Sequence, residues 1–317
     1  MSRIVVTGAA GFVGSHLSEA LLALGHEVVG IDSFTDYYSR SDKEANLEVA
    51  RSHDAFTFVE ADLCVDSLVP ILDGCDAVIN EAATPGLVLS WSSFERYLSS
   101  NVSAVKRLID AAMEVGVSHF IQASTSSVYG VDATGPETSP TMPVSPYGVT
   151  KLAAEHLLRA HSEAFGLPVT VLRYFSIFGP RQRPDMAYRI FCERLLRNEP
   201  IIVYGDGRQS RSNTYVDDCV SATIAALGRP ADGSTFNIGG GQEIELLGAI
   251  EMLANHLKID PVIRFETARA GDQRRTVADT SLVQEVLGWE AATTPEAGLL
   301  AQVEWVRSRA ASTVPHE

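Results

Sequence analysis

The chain has 317 residues, 45% of them hydrophobic and 21% charged, enough to bury a substantial core as one large domain or two joined ones. With 40 acidic against 25 basic side chains its formal net charge is -15, so nucleic-acid backbones and anionic membrane surfaces are repelled, while a pocket for a small phosphate ester needs only a few placed arginines. No uncharged apolar stretch approaches the roughly 20 residues that span a bilayer, so a membrane span is not expected.

Ile4-Val5-Val6 opens a strand-like run so early that a charged n-region, an apolar h-region and a cleavage site do not fit before it, and no leader is expected. From there short β-branched runs alternate with amphipathic stretches. Strands are predicted over 4–7, 27–31, 57–60, 77–80 and 119–123, with a helix over 12–24. Such alternation predicts an α/β protein with a doubly wound, Rossmann-like parallel sheet. Further strands are predicted over 169–174, 201–204, 235–238 and 262–265, but Gly205-Asp206-Gly207 and Gly239-Gly240-Gly241 interrupt the rhythm. The division expected is a dinucleotide-binding unit over 1–175 and a smaller α/β substrate lobe over 176–317, with some chain crossing back to the first. Ligands of open α/β sheets bind at the carboxyl ends of the strands, where the strand order reverses.

Gly8-Ala9-Ala10-Gly11-Phe12-Val13-Gly14 directly follows the first strand and opens the first helix. A turn without Cβ atoms lets backbone approach a pyrophosphate, and the helix start offers free N–H groups and partial positive charge. Asp32, after the second strand, suits the adenosine ribose hydroxyls and repels a 2′-phosphate, so NAD is expected rather than NADP. Asp62-Leu63, after the third strand, is either an adenine contact or a plain surface turn. Ala82 and Ala83, after the fourth, are small either because a cofactor passes close to the backbone or because the packing there is tight.

Pro146-Tyr147-Gly148-Val149-Thr150-Lys151 places a tyrosine and a lysine on one face at the start of a helix. Free tyrosine titrates near 10, and lowering that by roughly three units takes about 4 kcal/mol of preferential phenolate stabilisation. A neighbouring ammonium together with an oxidised nicotinamide ring supplies charge of the right sign. Ser124-Thr125-Ser126-Ser127, after the fifth strand, brings hydroxyls to the same sheet edge; taken alone it reads first as a Ser/Thr-rich turn. Cys64, Cys75, Cys192 and Cys219 and the eight histidines are scattered without metal-ligand spacing. No metal is expected, and the cysteines are read as buried fillers in a reducing cytoplasm.

Taken in order, TGAAGFVG, Asp32, STSSVYG and YGVTK resemble the extended short-chain dehydrogenases that modify nucleotide sugars, over nearly the whole chain. The resemblance implies tightly held NAD, a catalytic trio of Thr125, Tyr147 and Lys151, and a homodimer formed through helices over 91–116 and 147–166. Dehydratases of the family carry Asp-Glu after the catalytic Thr, and decarboxylases carry Glu just before Val-Tyr-Gly; this chain has Ser126-Ser127. Without a carboxylic acid there, elimination lacks its acid/base group, whereas an epimerase needs only the tyrosine.

Phe178 to Ala187, with its RPDMA run, and Asp36-Tyr37-Tyr38 resemble the UDP-glucuronate 4-epimerases. The match implies that Arg183 lies near a sugar carboxylate; a structural or phosphate-facing Arg183 is the alternative. The loop over 83–88 differs from the AGVR or PGVR form of relatives, with Val88 where they carry arginine. Gly207 to Arg211 and the Arg269-Ala270-Gly271-Asp272 motif resemble the family's nucleotide contacts, implying Arg211 and Arg269 on phosphate, Asp272 on ribose, and Ile202 and Tyr204 beside uracil. The expected site is completed by Asn101, Ser124 and Tyr174 at the cofactor and by Pro85, Ser126, Ser127 and Ser176 at the substrate. The activity expected is reversible 4-epimerisation of UDP-glucuronate to UDP-galacturonate through a 4-keto sugar. A UDP-glucose/UDP-galactose epimerase and a non-catalytic NAD-binding protein of the same fold are the alternatives.

Overall fold

Ile4, Val5 and Val6 are all fully buried, yet Ile4 and Val6 belong to one apolar cluster and Val5 to another. Side chains alternate across a strand, so a run apolar at every position marks a strand covered on both faces. The computed structural model, which describes residues 1–269 and 271–312, sets this strand inside a seven-stranded parallel sheet. Ala270 of the expected nucleotide motif and the end of the expected second unit, 313–317, lie outside the described residues.

The sheet consists of β1 (Arg3–Thr7), β2 (Glu27–Asp32), β3 (Phe56–Glu60), β4 (Ala77–Asn80), β5 (His119–Thr125), β6 (Val169–Tyr174) and β7 (Thr235–Ile238). Their spatial order is β7-β6-β5-β4-β1-β2-β3, so the chain runs outward from β1 in one direction and then returns to build the other half. The fold is a Rossmann-like doubly wound sheet. Its reversal between β1 and β4 opens a crevice at the carboxyl ends of the strands. β7 comes from the C-terminal part of the chain, which re-enters the sheet beside β6.

Helix α1 (Phe12–Ala23), helix α2 (Arg40–Arg51) and the helix Val216–Leu227 pack on the face of Ile4 and Val6. On the face of Val5 lie α3 (Ala104–Val115) and α4 (Pro146–Phe165). A third core joins the helices Ala187–Leu196, Leu246–Leu257 and Pro295–Ser312 to the strand Ile201–Tyr204. A small sheet then ties the two parts together: Asp132–Ala133, from the segment after β5, pairs with Arg275–Thr276, which pairs with Ser210–Ser212.

Three expectations shift. β5 runs past the expected 119–123 because Ser124 and Thr125 pair with Arg173 and Tyr174 of β6. The strand expected over 262–265 is Ile263–Glu266, in parallel register with Ile201–Tyr204. The long helix expected over 91–116 is instead a 3-10 turn at Leu89–Trp91, a short helix Phe94–Leu98, a widened π turn Ser99–Ser103, and α3. The π turn surrounds Asn101, whose side chain is drawn inward by Thr84 and Thr150. Such widened turns accommodate one side chain that must leave the helical register.

Candidate active site

Tyr147 and Lys151 stand in the first turns of α4, whose start is set by its own sequence. Ser145 caps it by accepting from the Gly148 amide at 3.1 Å, and Pro146 fills the first helical position, where its missing N–H has no partner to lose. Lys151 donates from Nζ to the Ala123 carbonyl at 2.6 Å, which pins the ammonium beside the end of β5. Thr125, on that end, hydrogen-bonds the Tyr147 phenol. The trio Thr125, Tyr147 and Lys151 is thus brought together by one strand end and one helix start.

Burial raises the Tyr147 phenol above its ordinary value, while Arg183 and the Thr125 hydrogen bond pull it back. Arg183 is thus a cation acting on this phenol that the sequence reading, which looked to Lys151, did not assign. Burial also pushes the Lys151 ammonium down to about 8, against Glu81 and Glu155, which favour its charge. Arg183 sits in the same cavity, paired with Asp185 through two hydrogen bonds of 3.0 and 3.1 Å. Tyr37 donates to Asp185 at 3.2 Å, joining the turn after β2 to the turn that carries Arg183. Tyr97 donates to the carbonyls of Pro85 and Gly86, fixing the loop after β4, and its ring meets that of Tyr147 edge to face with centroids 6.2 Å apart.

The cavity has a volume of about 990 Å³ and continues from this trio along the crevice to the glycine turn. A Cβ at Gly14 would meet the Gly8 carbonyl oxygen at 2.2 Å, and one at Gly8 would meet the Ala82 nitrogen at 2.9 Å. Gly8 also has φ of +66°, a conformation that glycine adopts freely. Gly11 starts α1 with no side-chain cap and no acidic residue in the first turn, so its amides face the crevice unpaired by side chains. This bare, electropositive cradle fits the pyrophosphate of a dinucleotide. Asp32 accepts from the amides of Ala10 and Phe34 at 3.2 and 2.8 Å, with Lys43 3.8 Å away, and burial raises its carboxyl. Phe12, Val13, Asp62, Leu63, Ala82, Ala83, Pro85, Ser124, Tyr174 and Ser176 line the same cavity.

The remaining expected residues lie elsewhere. Asn101 is behind the cavity wall, engaged with Thr84 and Thr150. Ser126 and Ser127 are buried under the trio, Ser127 accepting from Thr125 at 3.2 Å and Ser126 donating to Gln273 at 3.4 Å. Across the C-terminal part, Arg269 stacks 3.4 Å above the ring of Tyr204, on the strand that also carries Ile202. Arg211 donates to the carbonyls of Ser210, Gln273 and Arg274, and its charge and that of Arg269 act on Asp272. Sequence reasoning missed Glu81, Asp185 and Gln273. Glu81 stands directly before Ala82, and Asp185 lies inside the RPDMA run, so both had a local signal. Gln273 did not, because its bonds to the Ser126 and Gly130 carbonyls form only across the fold.

A glycine cradle at the switch point, leading to a Tyr/Lys pair at a helix start, defines an enzyme of the short-chain dehydrogenase type, with a nicotinamide dinucleotide as cofactor. Residues 4–239 match the NAD dependent epimerase/dehydratase family, and the chain belongs to that family, with NAD as its cofactor. It is 39% identical to YtcB of Bacillus subtilis (strain 168), named an uncharacterized UDP-glucose epimerase, over 96% of this chain and 98% of that protein. It is 33% identical to the UDP-glucuronate 4-epimerase of Thermodesulfobacterium geofontis (strain OPF15), over 96% of each. The crystal structure of a UDP-glucuronic acid 4-epimerase from Bacillus cereus, in complex with UDP-glucuronic acid and NAD, matches with a TM-score of 0.95 at 36% identity, covering 97% of this chain and 99% of that one. Among the described residues no helix is long and apolar enough to cross a membrane.

Proposed function

We propose that this enzyme interconverts UDP-glucuronate and UDP-galacturonate by epimerisation at C4′ of the sugar. The observation that carries the reading is the guanidinium of Arg183 in the same cavity as the Tyr147 phenol. A planar fork of donors beside the proton-transfer group is what a uronate carboxylate next to C4′ requires.

Gly8, Gly11, Phe12, Val13 and Gly14 hold the pyrophosphate of NAD, Asp32 its adenosine ribose, and Asp62 and Leu63 its adenine. Ala82, Ala83, Ser124, Lys151 and Tyr174 serve the other half, while Asn101 braces Thr84 from behind the cavity wall. Bound there, NAD supplies a reversible hydride acceptor. Tyr147 removes the 4′-hydroxyl proton and later returns it, while Thr125 orients that hydroxyl and Lys151 keeps the phenolate in a cationic setting. Arg211 and Arg269 meet the diphosphate, Asp272 the ribose, and Ile202 and Tyr204 the uracil. A 4-keto uronate is a β-keto acid and loses CO2 if its carboxylate aligns with the ketone. Arg183, with Ser176 and Thr125, holds that carboxylate out of alignment, and Pro85, Ser126 and Ser127 shape the pocket around it. Neither 126 nor 127 offers a carboxylic acid, so no residue there serves elimination of water.

One observation favours a second reading, a UDP-glucose/UDP-galactose epimerase: Asp185 already satisfies Arg183. Incubation of the purified enzyme with each sugar nucleotide, followed through the anomeric proton signals by NMR, separates the two. Conversion of UDP-glucuronate without release of CO2 is expected. Turnover of UDP-glucose alone overturns the uronate reading, and no turnover of either leaves only dinucleotide binding.

We also infer a homodimer formed across α4 and the segment 94–115, on which Phe94, Leu98, Val149 and Phe165 are exposed and apolar. Light scattering on the eluting protein tests it. The four cysteines are free, which fits work in a reducing cytoplasm.

A further inference from the structure

The half of the cavity nearest Tyr147 contains an ionisable group to which the reaction above gives no task. Glu81 is the first residue after β4, directly before Ala82, whose nitrogen lies against the glycine turn. Its carboxylate accepts from the Tyr174 hydroxyl at 2.7 Å, and that hydroxyl meets Thr223 Oγ1 at 2.8 Å. Glu81, Tyr174, Lys151 and Tyr147 line one cavity. With the pyrophosphate on the glycine turn and adenosine toward Asp32, the redox ring must lie between Ala82 and Tyr147. Glu81 lines the cavity beside these residues.

We propose that Glu81 is a charge-setting residue of the dinucleotide site, its carboxylate favouring the cationic oxidised nicotinamide over the neutral reduced one and so keeping the enzyme primed between turnovers. The inference rests on the dinucleotide site and on Tyr147 marking the reacting end. It does not depend on which sugar is turned over. The charged and titratable groups facing Glu81 are Lys151 and Tyr147 from α4, Tyr174 from β6 and Cys219 from the helix Val216–Leu227. Burial pushes the carboxyl up to about 7, against the Tyr174 hydrogen bond and the Lys151 charge, so the preference is switched on as pH rises through neutrality. A redox-neutral epimerase that released its sugar early would be left with a reduced cofactor and no substrate to restore it. A carboxylate beside the ring opposes that outcome.

The test uses the holoenzyme, brought to equilibrium with equimolar NAD and NADH, desalted, and extracted to quantify the dinucleotides bound. At about pH 8.5 the bound NAD:NADH ratio of the native enzyme is expected to exceed that of Glu81→Gln about tenfold, whereas at about pH 5.5 the two converge, because both side chains are then neutral. Because Glu81 favours the Lys151 charge, Glu81→Gln also eases loss of that proton, a change that works against the expected difference and does not produce it. Tyr174→Phe removes a bond that favours the charged carboxylate, so the pH at which native-like preference appears should move upward, a shift that a merely structural role would not produce. Equal ratios in the native enzyme and Glu81→Gln at every pH overturn the inference. A pH-dependent ratio in a protein that epimerises no sugar overturns the proposed reaction and leaves Glu81 in its role.

Discussion

Arg183 eases ionisation of the Tyr147 phenol, although it comes from the turn beyond β6 and not from the helix that carries the tyrosine. One guanidinium therefore faces both the proton-transfer group and the position proposed for the sugar carboxylate. Its removal should have two separable consequences. Arg183→Met is expected to lower kcat/KM for UDP-glucuronate by about tenfold to a hundredfold, the worth of a charge-assisted bidentate contact, with a smaller loss on UDP-glucose. Losing a charge that lowers the Tyr147 pKa, the variant should also show the rising limb of its pH–rate profile displaced to higher pH. Equal loss on both sugars would place Arg183 outside carboxylate recognition, and an undisplaced limb would free Tyr147 from its influence.

Within the trio, Tyr147 is the group suited to take the hydroxyl proton. Lys151 is held by the Ala123 carbonyl, and Thr125 is an alcohol. Tyr147→Phe is expected to reduce turnover by roughly 10²–10⁴-fold while leaving bound NAD in place, since the pyrophosphate cradle is formed by backbone far from the phenol. The amount of NAD extracted from the purified variant and its NMR-followed turnover check the two halves of this expectation. A variant that turns over at the native rate removes the phenol from the mechanism.

Much of this site was legible in the sequence because it depends on local pattern. The glycine turn, Asp32 and the Tyr147/Lys151 pair each sit at the end of a strand or the start of a helix, where residue type is dictated by backbone geometry. Partnership across the fold was not legible. That Arg183 acts on Tyr147, and that Gln273 braces the Ser126 turn, follow from how the C-terminal part docks on the sheet. The break in the helix expected over 91–116 was hidden for the same reason. Ser99-Ser100 reads as ordinary helix surface, and nothing local to Asn101, expected at the cofactor, shows that Thr84 and Thr150 draw its amide inward.

Behind the trio, Arg173 and Glu155 form a buried pair, with side chains 8% exposed on each side. Arg173 also donates to the Tyr129 hydroxyl at 2.8 Å, and Ser124 donates to Glu155. Removing one partner leaves the other charged and uncompensated in a dry site, so Glu155→Ala should destabilise the fold by about 3–5 kcal/mol. Replacing both, as Glu155→Leu with Arg173→Met, should be much less damaging, because no unpaired charge remains. Urea unfolding of the single and double variants measures the difference. A double variant as weak as the single one would mean that the bonds to Tyr129 and Ser124, not the charge pair, hold this region.

Glu81 carries a stability consequence whose sign follows from its raised carboxyl. A carboxyl at 4.5 when unfolded and about 7 when folded binds its proton more tightly in the native state, so between those values stability falls as pH rises. Below the window the folded protein loses nothing; above it the full penalty, on the order of 3 kcal/mol, is present. Glu81→Gln keeps an acceptor for Tyr174 and never ionises. In cofactor-free protein it should therefore match the native enzyme in thermal stability at about pH 4.5 and exceed it by several degrees at about pH 8, the gap opening across the window. Saturating NAD should narrow that gap, because the cationic ring gives the carboxylate a partner. Melting curves at the two pH values, with and without NAD, decide it, and a gap that does not grow with pH would mean that Glu81 is already ionised at the acid end.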